Sequence, residues 1–70
     1  MIMRQVILYT DEDGVRIAEC PSLPGCGSDG DTRESALENV REAIALWIED
    51  ASARGEPIPE DYPPLSLAQV

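Results

Sequence analysis

The chain opens on a run of aliphatic and aromatic side chains, Val6, Ile7, Leu8 and Tyr9, closed by Thr10. Side chains of this kind fit a pleated surface, so residues 2–10 read as a first strand. Asp11-Glu12-Asp13-Gly14 follows as a turn, and Asp13-Gly14 is a dipeptide that accepts the positive φ of a hairpin. Val15 to Cys20 alternates and returns as a second strand. Pro21-Ser22-Leu23-Pro24-Gly25 is neither strand nor helix, because two prolines remove backbone donors and fix φ. Cys26 to Asp29 makes a short third strand, ended by Gly30.

The period then changes. Asp31-Thr32-Arg33-Glu34 is a helix start; either Asp31 or Thr32 can cap, and Asp31 with Glu34 has capping-box spacing. Leu37, Val40, Ile44, Trp47, Ile48 and Ala51 form one apolar stripe, with Glu34, Glu38, Arg41, Glu42 and Glu49 opposite. Gly55 stands where a glycine would end the helix and Pro57 follows, so the helix runs over about 32–54. Ile58 to Pro64 is a proline-rich crossing of the surface, and Leu65 to Val70 alternates as a last strand. The order is β-β-β-α-β, an α+β fold. A right-handed crossover sets the last strand parallel to the first on its free edge. The expected sheet is four-stranded, of order 3-2-1-4, with one long helix on one face. Strand one is apolar on both sides, Val6 and Leu8 against Ile7 and Tyr9. One helix covers only one of them, so a homodimer or higher homo-oligomer is expected.

Length and charge narrow the function. Seventy residues make a single domain, 1–70. A core of this size rarely supplies more than about 3–5 kcal/mol, which again favours a staple or self-association. Fourteen Asp and Glu stand against five Arg, with no Lys or His, for a net charge of −9. Nucleic-acid binders set positive charge against phosphate, so direct nucleic-acid binding is not expected. Anionic membranes are disfavoured for the same reason. A basic protein or a cation fits better, and surplus acid also aids solubility. No apolar stretch approaches the roughly 20 residues of a membrane span. Met1-Ile2-Met3-Arg4 begins no signal peptide, and the expected compartment is cytoplasmic. Cys20 and Cys26 read either as two buried thiols or as a disulfide between adjacent strands.

Catalysis finds little to use. Without His or Lys, and with no Ser or Cys beside a base, nucleophilic chemistry has no activated group. Asp11, Asp13, Asp29 and Asp31 could line a weak cation site, but neither D-x-D stretch continues into a calcium loop. The glycines at 25, 27 and 30 match no phosphate-loop pattern, and Trp47 belongs to the helix stripe as core. No catalytic residue, metal or cofactor is assigned. The meander does bring the first turn to the same edge as the end of strand three. Asp11, Glu12, Asp13, Asp29, Asp31 and Glu34 therefore form an acidic edge, with Arg33 the one cation close in sequence, and this edge is the candidate partner-binding surface.

Taken jointly, several motifs carry a resemblance. Asp13-Gly14, Pro21-Ser22-Leu23-Pro24-Gly25-Cys26, Gly30-Asp31-Thr32, Glu34-Ser35-Ala36-Leu37-Glu38-Asn39 and Gly55-Glu56-Pro57-Ile58-Pro59 resemble the HicB antitoxin family over about residues 9–60. The resemblance implies a partial RNase H-like fold serving as the antitoxin of a type II toxin–antitoxin pair. It implies as partner a small HicA-like toxin, an mRNA interferase of double-stranded-RNA-binding shape, whose RNA cleavage the antitoxin blocks. Many family members carry a C-terminal helix-turn-helix or ribbon-helix-helix for autoregulation; residues up to Val70 resemble neither, so no DNA-binding domain is expected. The competing class is a stand-alone oligomeric scaffold, or a small-ligand or cation-binding protein, without a toxin. A neighbouring reading frame for a basic protein of similar size with one central His would separate the two.

Overall fold

A computed structural model describes residues 4–70. Three strands and one helix succeed each other as β1 (Ile7–Thr10), β2 (Arg16–Glu19), β3 (Gly27–Gly30) and α1 (Arg33–Ala53). The strands form one antiparallel sheet in the order β1-β2-β3. The expected start of the first strand at residues 2–3 lies outside the described residues.

Both hairpin turns are built by local hydrogen bonds. In the first, Asp11 Oδ1 accepts the amides of Asp13 (3.0 Å) and Val15 (2.9 Å), and Gly14 takes φ +83°. Only glycine adopts such a φ without a Cβ penalty. In the second, the amide of Leu23 donates to the Cys20 carbonyl (3.1 Å) and that of Cys26 to the Leu23 carbonyl (3.0 Å). This folds residues 21–25 back on themselves and drives the Leu23 side chain into the core, where it is 1% exposed.

Thr32 caps α1. Its hydroxyl accepts the Ser35 amide (3.1 Å), and the Ser35 hydroxyl accepts the Thr32 amide (3.1 Å). The expected Asp31–Glu34 pairing is therefore displaced by one residue: Thr32 takes the extended backbone of a cap, with φ −128° and ψ 163°. At the far end Gly55 (φ +71°) donates to the Ser52 carbonyl and Glu56 to that of Ala51, the two bonds of a Schellman ending.

Alternation sorts the sheet into two faces. Leu8, Ala18 and Ser28 are paired across it and face the helix. Ala18 and Ala36 are both fully buried, and these small side chains let helix and sheet approach closely. Around them gather Cys20, Leu23, Cys26, Val40 and Ile44, with Val6, Leu8, Ala43, Trp47 and Ile48 packed at the margin. The helix stripe thus faces the core as expected, with Val40, Ile44 and Ala51 buried and Leu37, Trp47 and Ile48 half-buried. Trp47 is anchored as well as packed: its Nε1 donates to the Pro24 carbonyl at 3.0 Å.

The four-stranded sheet of order 3-2-1-4 is not formed. Among the described residues there is no fourth strand, and Leu65–Val70 lacks regular structure. The crossover to a parallel strand beside β1 does not occur: the chain beyond the helix returns only to Arg4 and Gln5, ahead of β1, and is held there largely by side chains. Gln5 Nε2 donates to the carbonyls of Tyr62 (2.6 Å) and Pro63 (2.9 Å), and its Oε1 accepts the Leu65 amide (2.8 Å). Arg4 Nη2 reaches the Pro59 carbonyl (2.6 Å), and Asp61 Oδ2 accepts the Gln5 amide (3.0 Å). The reason lies in Pro57, Pro59, Pro63 and Pro64, which have no N–H to give a ladder. The architecture is α+β, a three-stranded antiparallel sheet and one helix. The RNase H-like layout implied by the resemblance is not what these elements form.

Candidate functional site

The register fixes what shares one end of the sheet. Thr10 pairs with Arg16, and Arg16 with Gly30, so the first turn and the β3–α1 junction lie at the same end. Five of the six predicted acids belong to these two segments or to the first turn of the helix, and Asp29 is the penultimate residue of β3.

They are not equivalent. The Asp11 carboxylate is half-buried and occupied by the Asp13 and Val15 amides, so it is a turn former. Glu12 and Asp13 are exposed at the tip of the turn. Asp29 pairs with Ile17, and Ile17 with Tyr9, which places Asp29 on the sheet face away from the helix. Its carbonyl, not its carboxylate, accepts Asn39 Nδ2 at 2.8 Å. Asp31 and Glu34 are exposed, with Glu34 in the first turn of α1, where the helix dipole favours an acid.

One cation reaches this end only through strand register, which sequence proximity does not reveal. Arg16 is the middle residue of the Thr10–Arg16–Gly30 row, and its Nη1 donates to the Asp31 carbonyl at 3.0 Å. The acidic end therefore has a guanidinium set into it. The acids share an end without converging on a point: among the described residues, no three His, Cys, Asp or Glu are placed to hold a metal ion.

The open face beside this end carries Ile7, Tyr9, Ile17, Glu19 and Asp29. Tyr9 donates its hydroxyl to Glu19 Oε1 at 2.7 Å, a diagonal bond that with the neighbouring negative charge pushes the phenol pKa up. Tyr9 and Glu19 escaped the sequence reading because a diagonal contact needs the register. At the opposite end of the helix, Arg54 pairs with Asp50 (2.7 Å) and Glu56 (3.6 Å); these ion pairs are exposed and contribute little. No helix among the described residues is long and apolar enough to cross a membrane.

Comparison with known proteins gives a family for this geometry. Residues 5–69 match the model of the HicB_like antitoxin of bacterial toxin-antitoxin system. A UPF0150 protein of Thermoplasma acidophilum is 45% identical over 56 residues, covering 80% of this chain and 81% of the relative. A UPF0150 protein of Synechocystis is 45% identical over 65 residues, covering 89% and 82%. One from Helicobacter pylori is 43% identical over 47 residues, covering 67% and 64%. No solved structure matches.

Proposed function

The chain belongs to the HicB-like antitoxin family of bacterial toxin–antitoxin systems, and from that premise we propose that it neutralises a HicA-type mRNA interferase by docking on its basic RNA-binding surface. In this reading it is a non-enzymatic regulator in the cytoplasm, and its partner is a protein. The observation that carries the reading is the acidic end of the sheet in a chain of net charge −9. A toxin that grips RNA presents positive charge, and carboxylates can occupy that surface in place of phosphate. The docking residues are Glu12, Asp13, Asp29, Asp31 and Glu34, with Asp11 shaping the turn that presents them.

The test is binding to the purified product of a neighbouring toxin-like reading frame. Association should slow steeply with added salt, since exposed charges are screened within about 8–10 Å at ordinary ionic strength. Glu12→Gln combined with Asp29→Asn should weaken binding at low salt by roughly two- to thirtyfold, the range for losing two exposed charge pairs. The melting temperature should barely move, because both side chains are exposed. Unchanged affinity would move the docking surface to the open sheet face or the helix.

A second element of the reading is self-association. It is supported by the apolar side chains left uncovered: Tyr9 on the open face, Leu46 on the helix (65% exposed) and Leu67 in the tail (90% exposed). Pairing of two copies would cover part of this surface. Sedimentation at rising concentration should show a species heavier than the 7.6 kDa chain. A clean monomer throughout would remove homo-oligomerisation, and with it the stand-alone scaffold alternative.

A further inference from the structure

Cys20 and Cys26 bracket the second turn and stand opposite each other. The Cys20 amide donates to the Cys26 carbonyl at 2.9 Å, one step beyond the Glu19–Gly27 pair of the β2–β3 ladder. This one bond joins the two residues, the Cys26 amide being given to Leu23; a regular hydrogen-bonded pair, which exchanges two such bonds, has Cα atoms about 5.5 Å apart. That lies within the roughly 4.4–6.8 Å from which a disulfide closes without backbone movement. Both side chains leave the sheet on the same side, since both belong to the cluster beneath the helix, and both are free thiols. A cavity of about 350 Å³ is lined by Cys20, Pro21, Leu23, Pro24 and Cys26.

We propose that Cys20 and Cys26 form a redox couple that closes to an intramolecular disulfide on exposure to hydrogen peroxide. The Cys26 thiolate, the more exposed of the two, attacks one peroxide oxygen; the O–O bond breaks, a water leaves and a sulfenic acid remains. The Cys20 sulfur then attacks that sulfur, the S–O bond breaks and a second water leaves. The two thiol hydrogens end in the two waters, and one peroxide is reduced for each disulfide formed. Burial pushes the Cys26 thiol up, so the first step is slow at neutral pH and quickens as pH rises. In a reducing compartment the pair rests as the dithiol.

The bond would rigidify a turn already tied to two other parts of the fold. Pro24 accepts from Trp47 on the helix, and the Ser22 hydroxyl accepts Arg4 Nη1 at 3.0 Å. The couple is independent of the antitoxin reading.

The test uses the whole chain, treated with hydrogen peroxide in native buffer, then denatured, alkylated and weighed intact. The expected product has lost two hydrogens, takes up no alkylating agent and runs as a single chain without reductant. Its melting temperature should rise on the order of 10 °C, the gain for closing so short a loop, and fall back with dithiothreitol. Two alkylatable thiols after oxidation, chains cross-linked to each other, sulfinic or sulfonic acid instead of a disulfide, or a lowered melting temperature would each overturn the proposal. So would the same loss of two hydrogens in Cys20→Ala or Cys26→Ala chains.

Discussion

Leu23→Ala should destabilise the fold by about 2–5 kcal/mol, the usual cost of truncating a fully buried leucine. Leu23 is 1% exposed and ranks with Val40 and Cys20 among the largest completely buried side chains. It belongs to no strand or helix: the turn of residues 21–25 carries it into the cluster of Ala18, Cys20, Ala36, Val40 and Ile44, so its truncation leaves a cavity in the core itself. A domain of this size has only about 3–5 kcal/mol in hand. The isolated variant should therefore be largely unfolded at 25 °C, which urea titration followed by circular dichroism would show. Leu37→Ala, at a half-buried position, should cost distinctly less. Equal losses for the two would mean that the turn does not seal the core as described.

Gly30→Ala should be the second large loss, for a reason opposite in kind. A Cβ at Gly30 would stand 2.5 Å from the Ala36 nitrogen and 2.9 Å from the Ser35 carbonyl carbon, and would also collide with the Ser35 hydroxyl. The hydroxyl could rotate away, but only by leaving the Thr32 amide that it caps. The backbone atoms could yield only if the first turn of α1 lifted off the end of β3. Overpacking of this kind costs about 1–3 kcal/mol, or a melting temperature roughly 4–20 °C lower in a domain this small. Gly14→Ala makes a useful contrast, because its cost comes from φ +83° in open space and not from collision. An unaltered melting temperature in Gly30→Ala would show that the helix start can shift without penalty.

These two positions mark where reading from sequence succeeds and stops. The helix was legible almost to the residue, since its signals are local: a 3.6-residue stripe, a capping hydroxyl and a terminal glycine. The hairpin at Asp13-Gly14 was legible for the same reason. Leu23 was not, because an apolar residue between two prolines belongs to no periodic pattern; its burial follows from the fold of the turn. Gly30 read as a strand terminator, and its closeness to Ser35 and Ala36 exists only once helix and strand are packed.

The candidate docking end divides in the same way. Sequence alone determined that the chain is acidic, that its acids fall in two clusters, and that a meander returns those clusters to one end of the sheet. Charge is additive along a chain, and strand direction follows from turn count. Tertiary structure decided which of those acids are available. Asp11 is consumed by its own turn, Arg16 is brought by cross-strand register to the Asp31 carbonyl, and Tyr9 is tied to Glu19 across a diagonal. It also decided the fate of the expected fourth strand. Leu65 and Leu67 alternate as in a strand, but a strand needs a partner's ladder as well as a pattern. The prolines on the approach leave the Gln5 side chain to supply the hydrogen bonds that the backbone cannot.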